Sequence, residues 1–254
     1  MNQAELKEFL DEKAAFYENS RFLEDDPIQI PHRFSKKEDI EISAFLTATI
    51  AWGNRKSIIN NAFRMMELMD HTPYDFVMNH SESDLGTLEA FVHRTFNGED
   101  FQFFVGGLKQ LYLNYGDMEA IFRAHQQPKS LQQAISEFKK VFFIPKHLKR
   151  TEKHVSDPLK GSAAKRINMF LRWMVRDGKA GVDFGLWRSL HPSQLSCPLD
   201  VHSGNVARKL KLLKRKQNDA KAVAELDRKL KKLDPKDPVK YDFALFGLGV
   251  FEKF

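Results

Sequence analysis

The sequence predicts an all-α, two-lobed helical bundle, and three observations carry that prediction. Apolar residues recur at helical spacing through most of the chain, no segment alternates as a strand does, and glycine, proline and capping residues punctuate the periodic stretches. The 254 residues, 42% hydrophobic and 29% charged, suffice to bury a core without disulfides or a structural metal.

The first periodic stretch covers residues 4–17. Ser35 with Glu38 three positions on reads as a capping box opening a helix through Ile40, Ala44, Phe45, Ala48 and Ala51, which Gly53 ends. Helices follow near 56–69 and, after Pro73, near 74–78. Three more lie near 101–115, 118–124 and 131–143, set apart by Gly116, Pro128 and Pro145. A polar, basic connection at 145–157 is the candidate junction between lobes of a single unit spanning 1–254. Beyond it a helix covers 162–176, followed by an irregular segment with Gly178, Gly181, Gly185 and Pro192. The closing helices lie near 202–210, 219–233 and 238–246, the last one after Asp237 and Pro238. The chain is expected to start in one lobe and cross to the second, with a return left open.

Charge is polarised along the chain. Residues 1–100 hold 10 lysines and arginines against 19 acids, and residues 101–254 hold 30 against 15, for a net charge of +6. A basic C-terminal part points to a polyanion, because neutralised phosphates release counterions, although lysine-rich helix faces are also often merely solvated. The single cysteine, Cys197, excludes a disulfide framework and cysteine-rich metal sites. None of the nine histidines has metal-ligand spacing, no phosphate-binding loop of the Gly-x-x-x-x-Gly-Lys-Ser/Thr kind occurs, and no apolar run is long enough for a membrane span. The expectations are therefore no metal, no nucleotide cofactor, no membrane, and a monomer in the cytoplasm.

Two segments carry chemistry. In Leu159-Lys160-Gly161-Ser162-Ala163-Ala164-Lys165-Arg166-Ile167-Asn168, Gly161 stands at the entry of a helix, where free N–H groups and the positive helix end suit a phosphate. Lys165, Arg166 and Arg172 follow it. From 145 to 176 there are nine lysines and arginines against two acids. In Pro198-Leu199-Asp200-Val201-His202, Asp200 precedes a short helix and suits an N-cap as well as a catalytic carboxylate. Trp173 and Trp187 are aromatic faces that could stack on a base; Trp173 suits the core better, and Trp187, in the glycine-rich segment, is the candidate for a cleft. The run 208–216 holds six lysines and arginines and reads equally as a phosphate-contacting face or a solvated loop.

These two segments resemble the helix-hairpin-helix DNA glycosylases, including the endonuclease III and 8-oxoguanine types. That family carries Leu-Pro-Gly-Val-Gly-x-Lys at the start of one helix and Val-Asp-Thr-His before another. Leu159, Gly161, Lys165, Asn168 and Leu171 match the first pattern in register, and Asp200, His202, Val206, Lys209 and Leu210 the second. Lys160, Ala163 and Val201 depart from it, and Asp200 follows Lys165 by 35 residues, where many relatives have a shorter gap. Weaker similarity extends over about 35–250, and the chain as a whole is also similar to an uncharacterised bacterial family with no assigned activity. The resemblance implies a helix-hairpin-helix element near 145–176, duplex DNA as partner and excision of a damaged base, such as an oxidised purine. It implies Lys165 as nucleophile at the sugar C1′ and Asp200 as its base. DNA contacts would come from Lys160, Gly161, Ser162, Ala163, Arg166 and Arg172, a base pocket from Trp187 and His202, and a monovalent cation could be held by carbonyls of the 160–163 loop. A DNA-binding module without catalysis and a helical interaction protein indifferent to DNA remain as alternatives.

Overall fold

The computed structural model describes residues 2–254, which form an all-α architecture. Its helices are α1 (Gln3–Tyr17), α2 (Phe22–Asp25), α3 (Lys37–Thr49), α4 (Arg55–Leu68), α5 (Pro73–Asn79), α6 (Glu82–Thr87), α7 (Gly98–Tyr115), α8 (Met118–His125), α9 (Gln132–Phe142), α10 (Lys165–Val175), α11 (Val201–Lys209), α12 (Ala220–Leu233) and α13 (Tyr241–Val250). A small antiparallel hairpin, β1 (Val92–His93) with β2 (Phe96–Asn97), precedes α7, and 3-10 turns fill several connections. No helix among the described residues is long and apolar enough to cross a membrane.

Local chemistry explains most helix starts. Asn2 with Glu5 caps α1, Asn97 with Asp100 caps α7, and Asp219 caps α12 through the Ala222 N–H. The capping box expected at Ser35 does not form. A box needs its hydroxyl residue immediately before the first helical position, and Lys36 stands there, without a side-chain cap.

Two apolar cores account for the two lobes. The larger one gathers α3 to α10 around Phe45, whose ring meets Phe104, Phe138, Phe142 and Phe170 at centroid distances of 5.4–5.8 Å. The smaller one joins α11, α12 and α13 to α1 through residues such as Leu10, Ala14, Val206, Leu226 and Leu245. The chain thus begins against its own C-terminal lobe, crosses to the larger core, and returns. The first crossing falls between Ala14 and Tyr17 and the return between Leu195 and Cys197, whereas Val155 and Ile167, at and just beyond the end of the 145–157 connection, both pack in the larger core.

The 145–157 connection carries a 3-10 helix, Lys149–His154, so the arm preceding the Gly161 turn is 3-10 helical rather than α-helical. Tertiary contacts hold it. Asp100, fully buried at the start of α7, accepts from Thr151 Oγ1 at 2.7 Å, Arg150 at 3.0 Å and His154 Nε2 at 3.2 Å. Burial pushes the Asp100 carboxyl up, but these donors and the Asn97 N–H outweigh it and hold it down at about 2.

The irregular stretch after α10 is a strap across the C-terminal end of that helix. Phe184 N–H and Trp187 N–H donate to the Trp173 and Met174 carbonyls, which would otherwise lack partners at the helix end. A Cβ at Gly178 would lie 2.9 Å from the Asp183 carbonyl oxygen, and Gly185 has φ +61°, which explains the glycines of this segment as packing necessities. The strap delivers Asp183 to two arginines of α10. Arg172 pairs with Asp183 at 3.3 Å and Asp242 at 2.6 Å; Arg176 pairs with Asp183 at 2.6 Å, Glu18 at 2.7 Å and Asp237 at 2.8 Å. Both arginines are almost completely buried, and both guanidinium groups lie over the Phe243 ring.

Two outcomes follow from these contacts. Arg172→Met should lower stability by about 3–5 kcal/mol in urea titration, because Asp183 and Asp242 stay buried without their partner; an unchanged midpoint would contradict the network's role. Asp100 has a folded pKa below its unfolded value, so it contributes stability above about pH 4 that is lost as pH falls toward 2. Acid titration of the Asp100→Asn variant should accordingly show a shallower loss over that window than the parent chain.

Candidate active site

The two lobes enclose a cleft of about 860 Å³. Its walls come from Asp26 and Pro27, the turn before α4 with Trp52 and Arg55, the start of α10, the 198–202 segment, and Phe246 of α13. Lys165 and Asp200 face each other across it, with Nζ 3.7 Å from Oδ2, each side chain under a third exposed.

Each member of the pair is positioned by its backbone. Lys165 opens α10 directly after Ala164, which holds φ +47° and ψ +38°, a left-handed conformation costing a non-glycine residue roughly 1–2 kcal/mol. That turn is held by Ser162 Oγ, which accepts from the Ala164 N–H at 3.1 Å, and by Asn168, which donates to the Ala163 carbonyl at 3.0 Å. No side chain caps α10, so its first N–H groups are free for a ligand. Asp200 caps α11 with Oδ1, accepting from the Ser203 N–H at 2.9 Å, and its carbonyl accepts from Asn218 at 2.8 Å. One carboxylate thus does two jobs: Oδ1 holds the helix and Oδ2 faces the lysine.

The other residues singled out in the sequence divide. Ser162, Ala163 and His202 line the cleft, His202 on its exposed rim, while Lys160 and Gly161 lie outside the lining on the exposed turn before α10. Gly161, at φ +92°, supplies the left-handed turn there, and its carbonyl accepts from the Ala220 N–H at 3.0 Å. Arg166 lines the cleft but donates to the Thr49 carbonyl at the end of α3, with its guanidinium 4.7 Å from the Trp52 ring centre. Burial lowers its pKa to about 10, which leaves it cationic at neutral pH. Arg172 also reaches the cleft wall, but its charge is paired with Asp183 and Asp242 inside the protein rather than held out toward a phosphate. Trp187 is corrected as a base-pocket residue. It is fully buried and donates to Glu41 at 2.6 Å, because the strap carries it into the larger core. Trp173 is likewise fully buried in that core. Among the described residues no group of three or more His, Cys, Asp or Glu could hold a metal ion.

Among the cleft residues that no motif marked are Trp52, the half-buried aromatic of the wall, Arg55 at the start of α4, and the buried acids Asp26 and Asp242. Burial raises both carboxyls, against the opposing pull of Arg172 and Lys165. Trp52 lies one residue before Gly53, so the helix-ending glycine was its only local signal.

Residues 26–251 match a family described as protein of unknown function (DUF2400). The chain belongs to this family. The match begins at the cleft residue Asp26 and encloses Lys165, Asp200 and Asp242. No curated protein and no solved structure matches the chain.

The double duty of Asp200 separates two substitutions. Asp200→Asn keeps an N-cap acceptor and should stay within about 0.5 kcal/mol of the parent in thermal unfolding, whereas Asp200→Ala should lose about 1 kcal/mol. Equal losses would mean that the charge facing Lys165, not the cap, carries the residue's structural contribution.

Proposed function

We propose that the protein is a DNA glycosylase, with or without an accompanying lyase step, that excises a damaged base from duplex DNA through Lys165 and Asp200. The observation that carries this reading is the ammonium and carboxylate 3.7 Å apart, facing a cleft large enough to admit an extruded nucleotide. Lys165 passes a proton to Asp200 and attacks C1′ as the neutral amine; the bond from C1′ to the base breaks, and the lysine is left joined to the sugar. Asp200 hands that proton on to water in the cleft and, again a carboxylate, stabilises the positive charge left on the sugar and its lysine.

The DNA side of the reading rests on the free N–H groups of α10 and on exposed cations. Lys160 on the turn before α10, Lys209 at the end of α11, and Lys211, Lys214 and Lys216 beyond it are all exposed. The two stretches are joined: Ser162 and Asp219 form a bridge, so the basic 209–219 stretch is fastened to the turn before α10. Such a surface suits a phosphate backbone. The 160–163 loop retains the proposal of a monovalent cation, and the protein that of acting as a monomer.

Borohydride trapping tests the reading. Oligonucleotide duplexes carrying a panel of base lesions or an abasic site should yield a covalent adduct with the parent chain and none with Lys165→Gln. Salt-sensitive duplex binding that survives this substitution, with neither adduct nor base release from the parent, would reduce the protein to a binding module.

A further inference from the structure

Resting on the glycosylase reading, the geometry points to Asp26 as the acid that protonates the departing base, and to a purine with an unprotonated N7 as that base. Asp26 is 8% exposed and lines the same cleft as Lys165 and Asp200. Its Oδ1 accepts from the Ile28 N–H at 3.0 Å, capping the 3-10 turn Pro27–Gln29, while among the described residues no donor engages Oδ2. A largely buried carboxyl that turns one oxygen without a protein partner toward an open cavity is placed to meet a ligand there.

Asp242, the other buried acid of the cleft, differs in this respect. One of its oxygens takes the Arg172 guanidinium at 2.6 Å and the other the Cys197 thiol at 3.7 Å. Asp200 is divided between its cap and the lysine. Of these three carboxyls lining the cleft, Asp26 alone keeps an oxygen with no protein partner.

Its charge environment suits an acid. Burial raises the carboxyl; the Ile28 N–H, Arg172 and Lys165 on α10, and Arg55 at the start of α4 pull it back. Once Lys165 is neutral one of those cations is gone, so the state in which the lysine can attack is the state in which Asp26 better keeps its proton. The step then balances. The Lys165 nitrogen bonds to C1′, the C1′–N9 bond breaks with its electron pair passing to the base, and the Asp26 proton goes to N7, so that the base departs neutral. Asp26 is left as a carboxylate facing Arg55 and Arg172, and the positive charge resides on the new sugar–lysine nitrogen. A base whose N7 already carries hydrogen, such as 8-oxoguanine, cannot accept this proton.

Three duplexes test the inference, carrying hypoxanthine, 8-oxoguanine or an abasic site. Asp26→Asn keeps the turn's cap, and its trapping at the abasic site, where no base remains to leave, should fall far less than its release of hypoxanthine. Hypoxanthine release should fall by about 100-fold or more, in line with the loss of a general acid. In the parent chain that release should decline as pH rises, and the variant should lose this limb of the profile. Parent-like hypoxanthine release by the variant would overturn the role of Asp26, and release of 8-oxoguanine alone by the parent would overturn the purine assignment. Trapping by the parent without release of either purine would overturn the inference while leaving the lysine chemistry standing. A parent chain that neither traps nor releases would remove the glycosylase reading and this inference with it.

Discussion

Two buried guanidinium groups hold the halves of this molecule in register. Arg172 and Arg176, one helical turn apart on α10, reach Glu18 after α1, Asp183 in the strap, Asp237 before α13 and Asp242 within it. Charges removed from water to this degree are stable only when paired on most sides, so the contacts stand or fall together. Phe243 beneath both arginines adds an aromatic face to the arrangement. The network lies where the two apolar cores meet, and the relative placement of α10 and α13 depends on it.

The site inherits its geometry from that registration. Lys165 stands at the far end of the helix that bears the two arginines, and Asp200 caps α11, which packs on α13. Moving α13 against α10 would therefore change the separation of the ammonium and the carboxylate. A lysine and an aspartate distant in sequence face each other because each is fixed by its own local turn and both turns are fixed by the same buried ion pairs. The left-handed Ala164 beside Lys165 is the strained point of the arrangement, and such strain persists only where surrounding contacts determine the backbone.

The sequence disclosed the helices well because their periodicity and caps are local. It also pointed to the lysine and the aspartate that meet at the cleft, since Gly161, Lys165 and Asp200 sit in short motifs. What it concealed was the fate of side chains whose environment is made by distant segments. Trp187 looked accessible because it follows a glycine-rich stretch, yet those glycines permit the close approach that drives the strap onto α10 and the indole toward Glu41. Arg172 looked like one more cation in a basic helix until Asp183 and Asp242 arrived from other parts of the chain. Trp52 and Asp26, in contrast, lie in a stretch with net acidic charge and carry no motif, and the glycine after Trp52 marks only the end of a helix.

By itself the sequence determined an all-α chain, its main helices and the cap of α11, because spacing, capping and helix propensity act within a few residues. Only the tertiary structure decided where the lobes divide, which arginines are buried, and which aromatic and acidic groups face the cleft. Those outcomes depend on desolvation and on partners tens of residues away, and burial, unlike periodicity, is a property of the packed whole.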